Sequence, residues 1–211
     1  MEDTPCLERL LPLNPHNGPA TIRVIRAPKL QILGILSKTI SQLHLGTTIF
    51  QENDCVSLTT TMCTVKLLAL DCSGLDFHAV LDFVKCFPCL EMLYICNTPD
   101  DNIKSVSKYS SLNNPIECLE HHLKKLVLKV YHGKGSEVHF ARFFILNAKV
   151  LEIMEFGLVD NRDNEWMTNH CRELKVGDQA SPCPRFVFKK FAFSTLRYNN
   201  RIHDLSMSDP F

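Results

Sequence analysis

The sequence predicts an α/β fold in which short parallel strands alternate with covering helices, and three observations support this class. A six-residue pattern, apolar-x-x-apolar-x-apolar, recurs along the chain. Its apolar residues alternate with other residues, as they do in a strand that buries one face. Segments between some copies have apolar residues at helical spacing, so we expect helices to cover the buried face.

The intervals between copies of the pattern favour a repeat architecture. Clear copies occupy residues 30–35, 65–70, 90–95, 123–128 and 151–156, and a fainter copy begins at Leu7. Their first positions are 23, 35, 25, 33 and 28 residues apart, whereas leucine-rich repeats run about 20–29 residues. We therefore predict a leucine-rich-repeat solenoid, a curved parallel sheet with outer helices. An ordinary α/β sheet with alternating helices is the alternative.

The two longest intervals predict insertions. Residues 40–45 (ISQLHL) repeat the pattern too early for a full repeat, so they predict an additional strand. Residues 97–115 are mostly polar and predict a loop.

Two helices are predicted from apolar residues at positions i, i+3, i+4 and i+7. The first face consists of Phe77, Val80, Leu81 and Val84. The second consists of Phe140, Phe143, Phe144 and Asn147, with Ser136 as the expected N-cap.

The C-terminal part predicts a cap for the repeats. Trp166 fits a short helix that begins near Asp163, and we expect that helix to dock on the last repeat. Residues 185–193 (RFVFKKFAF) alternate like an added edge strand, and Lys189 and Lys190 would discourage pairing with another chain.

Composition excludes several functional classes. The chain is 45% hydrophobic and 22% charged, with 23 basic and 23 acidic residues, so its formal net charge is zero. A neutral chain is a poor match for nucleic-acid binding or for a polybasic membrane contact. The N-terminus does not resemble a signal peptide, and we expect the ten cysteines to lie in a reducing compartment, the cytoplasm or nucleus. We also expect a monomer.

Cys86 and Cys89 form a Cys-x-x-Cys motif in the stretch KCFPCLEML. In a redox site of this kind the motif opens a helix, whose N-terminus lowers the thiol pKa. Here a predicted helix ends near Cys86 and a predicted strand follows Cys89. A zinc site would need two further ligands with a recognisable spacing. We interpret the motif as a helix-to-strand turn, and a thiol or zinc protein that uses these two residues is the alternative.

Catalytic motifs do not appear in the sequence. It contains no nucleophile elbow, phosphate-binding loop, dinucleotide fingerprint or HExxH motif. We therefore expect neither an enzyme nor a bound cofactor.

Several longer stretches together resemble a known family. They are APKLQILG (27–34), LHLGTTIFQ (43–51), CFPCLEMLYI (86–95), CLEHHLKKLVLKVYHG (118–133), FARFFILNAKVLEIMEF (140–156) and IHDLSMSDPF (202–211). They are similar to plant, especially grass-type, F-box proteins with leucine-rich repeats and a C-terminal FBD domain. The resemblance implies repeats in residues 1–115 and an FBD domain, with the last repeats and a cap, in residues 116–211.

The resemblance also implies a function. The resemblance implies a family plan in which the F-box binds the Skp-type adaptor of a cullin–RING ubiquitin ligase and the repeats hold the substrate. This chain opens with MEDTPCLERLL, which resembles the middle of a repeat. We therefore expect a recognition module without its own F-box, which binds a partner protein but not the adaptor and competes with intact receptors. A non-functional gene fragment is a further alternative.

Candidate partner-binding residues are the strand positions that point away from the expected helices. A mixture of apolar, aromatic and charged residues at such positions suits a protein partner. The alternative is a solvated or loop-covered face without a partner. The candidates are Asp71, Met92, Tyr94, Lys125, Lys129 and Glu155.

Overall fold

The structure, a computed structural model, describes residues 3–12, 20–36, 40–51, 54–57, 61–71, 77–96 and 115–190. Strands β1 to β11 are Arg9–Leu10, Ala20–Val24, Ile32–Leu36, Ile40–Leu45, Thr48–Gln51, Asp54–Ser57, Leu67–Asp71, Met92–Cys96, Lys125–Tyr131, Ile153–Leu158 and Arg185–Lys190. Helices α1 to α4 are Phe77–Lys85, Glu117–His121, Gly135–Asn147 and Asn164–Glu173, and a 3-10 helix spans Val176–Asp178.

Seven strands form one parallel sheet in the order β1-β3-β7-β8-β9-β10-β11. Strand order follows chain order, so each strand of the predicted repeats lies beside the strand of the next repeat. This confirms an α/β fold with a mostly parallel sheet. Strands β8 and β9 lie on either side of the expected domain boundary at residues 115 and 116 and are hydrogen-bonded neighbours.

The same backbone contact recurs at five of the six junctions between neighbouring strands of this sheet. One carbonyl just before a strand accepts N–H groups from two consecutive residues of the next repeat, at 2.8 to 3.1 Å. The accepting carbonyls belong to Glu8, Gln31, Lys66, Glu91 and Lys124. Repetition of one contact at five junctions fixes the register of adjacent strands and satisfies backbone donors at the sheet edge.

Proline turns lead into three of the repeats. In TPCL, APKL and FPCL the leucine N–H donates to the carbonyl three residues earlier, at 3.1 Å in each case. These carbonyls belong to Thr4, Ala27 and Phe87. Proline suits the second position of such a turn because its φ is already near the required value. The short sequence X-Pro-x-Leu therefore reverses the chain and starts the apolar pattern.

The main core lies between the sheet and the helices. All the repeated apolar residues of the copies at 65–70, 90–95, 123–128 and 151–156 are buried there. Helices α1 and α3 supply the opposite wall, through residues such as Leu81, Val84 and Phe144. The two predicted helices are thus confirmed, and none of the described helices is long and apolar enough to cross a membrane.

The N-terminal half departs from the expected outer helices. Strands β2, β4, β5 and β6 form a second, four-stranded sheet, and β6 contacts α1. The predicted additional strand at residues 40–45 is β4, confirmed as a strand but paired in this second sheet. A tight turn at Gly46, with φ of +62°, pairs β4 with β5 in antiparallel fashion. Hairpin formation therefore replaces a helix here.

The first clear repeat contains a second departure. The pattern predicts that Ile35 points into the main core, but Leu36 takes that position, opposite Leu70. Ile35 is half-buried and packs on the other face. The register shifts because Gly34, with φ of +138°, adds a residue to β3 relative to β7.

The ends of three C-terminal elements test the remaining predictions. Helix α3 begins one residue before Ser136, and its N-cap is Lys134. The Glu137 carboxylate instead accepts the Lys134 N–H at 3.0 Å, so the predicted Ser136 cap is wrong. The start of α4 is confirmed, since Asp163 accepts the Trp166 N–H at 2.7 Å. The edge strand is confirmed as β11; residues 191–193 and 97–114 lie outside the described residues.

Candidate functional site

The six predicted partner-binding residues lie on one face of the parallel sheet, opposite the helices. Pairing of β7, β8 and β9 places Ala69, Tyr94 and Val127 in one row across the sheet. Asp71, Cys96 and Lys129 form the next row. The structure therefore brings together the residues that the alternation predicted. Their role in binding stays a prediction.

The centre of this face is a small apolar cluster. It is separate from the main core and contains Ile32, Leu67, Ala69, Tyr94 and Val127. Tyr94 is only 3% exposed, although its position predicted an accessible aromatic anchor. A partner can therefore reach little of its ring. We assign the half-buried neighbours, rather than the Tyr94 ring, to the accessible part of the surface.

Two lysines surround Tyr94. The Lys125 ammonium donates a hydrogen bond to the Tyr94 hydroxyl at 2.6 Å and lies 5.0 Å from the ring centre. The Lys129 ammonium lies 5.6 Å from the same ring centre. Cations over an aromatic ring are attracted by its electron-rich face. Tyr94 therefore holds two positive charges near the middle of the face.

Acidic residues border this positive area. The Glu155 carboxylate accepts a hydrogen bond from Lys189 at 2.7 Å, between β10 and β11. Asp71 lies beside Cys96, where burial and the Asp71 charge raise the thiol pKa to about 12. Cys96 is thus a neutral, unreactive thiol at neutral pH. The face combines an apolar centre, two lysines and an acidic border.

Cys86 and Cys89 point to different surroundings. The Cys86 thiol is 1% exposed and donates to the Asp82 carbonyl of α1 at 3.2 Å. Cys89 is half-buried in the turn between Phe87 and Leu90. Within the described residues, no three His, Cys, Asp or Glu side chains are grouped as metal ligands. This geometry supports the interpretation of the motif as a turn.

A buried polar chain at the C-terminal cap was not predicted. His170 is 2% exposed, and its Nε2 lies 2.7 Å from the Tyr131 hydroxyl. Its Nδ1 lies 3.2 Å from the Glu173 carboxylate, and Trp166 stacks on the imidazole with ring centres 4.4 Å apart. Trp166 indicated that the helix docks, but the sequence contains no signal that pairs His170 with Tyr131.

The backbone of β9 aims Tyr131 at this histidine. The pairing of β9 with β10 shifts by one residue, so Leu158 lies opposite Tyr131. Val130 has φ of +59° at the shift, which is rare for a β-branched residue. A bulge of this kind turns the next side chain to the other face. Tyr131 thereby enters the main core, where its ring packs on Phe156.

We expect the stability of the chain to fall in mild acid because of His170. Burial lowers its pKa below 6.5, outweighing the opposite effects of Glu173 and Glu137 and adding to that of Arg162. As pH falls through about 6.5, the unfolded chain binds this proton before the folded chain does. The free energy of unfolding is therefore undiminished above pH 6.5 and decreases below it, by at most about 1.4 kcal/mol per pH unit from this group.

Urea unfolding between pH 5 and 8 measures this dependence. His170→Phe should flatten the slope below pH 6.5, because it removes the titrating group. His139→Gln is the matched control, since it removes an exposed imidazole from α3 and should leave the slope unchanged. Equal slopes in wild type and His170→Phe would contradict the assignment.

Two known family models match parts of this chain. The model for the leucine-rich repeats of the FBD-associated F-box protein At5g56370 matches residues 1–95, which contain β1 to β7, α1 and most of β8. The FBD model matches residues 111–156, which contain α2, β9 and α3. No curated protein and no solved structure matches the chain. The repeated strand junctions agree with the first match, and the two matches together show that the chain is similar to FBD-associated F-box proteins with leucine-rich repeats.

Proposed function

We propose that this chain is a protein-recognition module, similar to the substrate-binding part of an F-box ubiquitin-ligase receptor. The observation that carries the proposal is the parallel sheet whose face opposite the helices combines an apolar centre with charged residues. Both matched families come from F-box-associated proteins, which favours protein interaction. The module would bind without catalysis, as a monomer, in the cytoplasm or nucleus.

The proposed architecture is a leucine-rich-repeat solenoid. The carbonyl that accepts two N–H groups recurs from Glu8 to Lys124, so each repeat contacts the next in the same way. Repetition of one contact generates a regular stack, and a stack presents equivalent strand positions side by side. The four-stranded sheet beside α1 would cover the first repeats where others have helices.

The proposed binding surface consists of Asp71, Met92, Lys125, Lys129 and Glu155, arranged around Tyr94. All five are half-buried. Met92 continues the apolar cluster and would contact apolar side chains of a partner. Lys125 and Lys129 would meet acidic groups, while Asp71 and Glu155 would exclude partners with acid at the border. Mixed charge of this kind supplies selectivity more than raw affinity.

Affinity capture of the tagged chain, read by quantitative mass spectrometry, tests this surface. Extract from the source organism supplies the partner. Lys129→Glu should reduce recovery of a specific partner by roughly tenfold or more, because it replaces a positive charge beside Tyr94 with a negative one. Tyr94→Ala is unsuitable, since the ring is buried and its loss would disturb the sheet.

The matched control is Lys175→Glu, which makes the same charge change at an exposed site beyond α4. It should leave recovery unchanged. Equal loss in both variants, or in neither, would contradict the proposed surface.

The same capture tests the ligase relationship. A partner without Skp-type adaptor or cullin would support a module that competes with intact receptors. Adaptor and cullin among the captured proteins would show that these 211 residues associate with the ligase and would contradict a module detached from it. Absence of any specific partner, together with low thermal cooperativity, would favour the gene-fragment alternative.

A further inference from the structure

Two cysteines from adjacent turns lie near each other before β7 and β8. Cys63 is exposed, and Cys89 is half-buried in the Phe87–Leu90 turn. The Met62 N–H donates to the Cys86 carbonyl at 2.8 Å, which holds the two turns together. The pairing of β7 with β8, in which Leu67 lies opposite Met92, brings the segments that carry Cys63 and Cys89 side by side. Burial is the main cause that raises the pKa of the Cys89 thiol, and the nearby Cys63 adds to it. Twenty-five residues separate these thiols in sequence, and the stacking of adjacent repeats brings them together.

Neighbouring thiols are less suited to react with Cys89. Cys86 is buried and hydrogen-bonded to the Asp82 carbonyl. Cys118 is also close enough to affect Cys89, but burial raises its thiol pKa to about 12. Its sulfur lies beneath the surface, near the Val84 carbonyl at 3.9 Å. Among the described cysteines near Cys89, Cys63 is the exposed one.

We propose that Cys63 and Cys89 form a reversible disulfide, a modification site that links two adjacent repeats. The exposed Cys63 meets a peroxide first. Its thiolate attacks one peroxide oxygen, the O–O bond breaks, and the products are Cys63 sulfenic acid and water once a proton is supplied by solvent. The Cys89 sulfur then attacks the Cys63 sulfur. The S–S bond forms, the S–O bond breaks, and the Cys89 proton leaves with hydroxide as water.

The proposed pair has the features of a regulatory rather than a permanent disulfide. One sulfur is accessible to small oxidants and to reducing thiols, which makes both directions of the reaction feasible. The bond would close a loop that contains β7 and α1. It would tie the junction before β7 to the junction before β8, so oxidation should stiffen this part of the sheet.

Peptide mapping after mild oxidation tests the proposal. The reduced full chain, at low concentration to disfavour dimers, is treated with one equivalent of hydrogen peroxide, and free thiols are then blocked. We expect a monomer lighter by two hydrogen atoms, one cross-linked peptide pair containing Cys63 and Cys89, and full reversal by a dithiol. A Cys86–Cys89 bond, any other intramolecular pairing, or no intramolecular bond would overturn the proposal.

Variants and denaturant separate folded geometry from intrinsic reactivity. Cys63→Ser and Cys89→Ser should each abolish the cross-link, whereas Cys6→Ser, at another exposed cysteine, should retain it. In urea the preference for Cys63–Cys89 should disappear, because stacking of the repeats creates the proximity. The same preference in urea would mean that the folded contact is not its cause. The peptide map of the wild-type chain tests the disulfide even if a variant fails to fold.

Discussion

Replacing Phe156 by alanine is expected to destabilise the chain by about 3–5 kcal/mol, the range for large aromatic truncations in a core. Phe156 is fully buried in β10. Its ring lies 4.8 Å from the ring of Tyr131 and 4.8 Å from that of Phe188, nearly parallel to the latter. The substitution would remove both ring contacts and leave a cavity between β9 and β11. Urea unfolding followed by circular dichroism measures the loss.

Leu146→Ala is the matched control for this prediction. Leu146 also lies in an ordered element, α3, but it is 40% exposed. Its truncation should change the free energy of unfolding by about 0.5 kcal/mol or less, as is usual at exposed sites. Equal losses of unfolding free energy in Phe156→Ala and Leu146→Ala would contradict the packing of Phe156 between Tyr131 and Phe188.

Replacing Gly34 by alanine is expected to cost about 2–6 kcal/mol, because two penalties combine. Gly34 has φ of +138°, a conformation that L-residues rarely adopt; such strain costs about 1–3 kcal/mol. A Cβ there would also lie 2.5 Å from the Ala69 carbonyl oxygen and 2.9 Å from its nitrogen, both in β7. Separating β3 from β7 would add an overpacking cost of about 1–3 kcal/mol.

Two other glycines separate these penalties. Gly46 has φ of +62°, but a Cβ there would lie no closer than 3.8 Å to its neighbours. Gly46→Ala should therefore show only the conformational cost. Gly177 has no positive φ, and a Cβ there would have no neighbour within 4 Å. Gly177→Ala should therefore leave the free energy of unfolding nearly unchanged. Adding Ala69→Gly to Gly34→Ala should not restore stability, because the closest atom is backbone. Full rescue by that second substitution would contradict the proposed clash.

The apolar pattern predicted most strands of the parallel sheet because each strand depends on residues that are close together in sequence. Alternation at Leu68 and Leu70 sets which side chains face the core, and neighbouring copies then align. The same alternation placed Lys125, Lys129 and Glu155 on the opposite face. Their exposure was not predictable, since it depends on how neighbouring strands pack around each residue. Tyr94 illustrates this: its position was right, but its ring is buried.

The cysteine motif shows a related limit. The order of helix, turn and strand around Cys86 and Cys89 indicated that the two residues form a turn, and the structure agrees. The exposed cysteine near Cys89 is Cys63, which lies in the preceding repeat. The Cys-x-x-Cys spacing suggests Cys86 as the partner of Cys89, whereas the cysteine that lies near Cys89 depends on which turns stack in the fold. Such contacts arise between repeats and leave no short pattern in the sequence.

The sequence by itself determined the repeat, the turn at Cys86 and Cys89, the helices α1 and α3 and the two faces of most strands. Each of these depends on residues within about ten positions of one another. Tertiary structure alone decided the hairpin sheet, the shifts at Gly34 and Val130 and the pairing of Tyr131 with His170. These features depend on segments that are distant in sequence and close in space. Gly34 leaves room for the backbone of β7, and the bulge at Val130 turns Tyr131 toward His170. Periodicity carries no record of that approach, because the partners belong to different repeats.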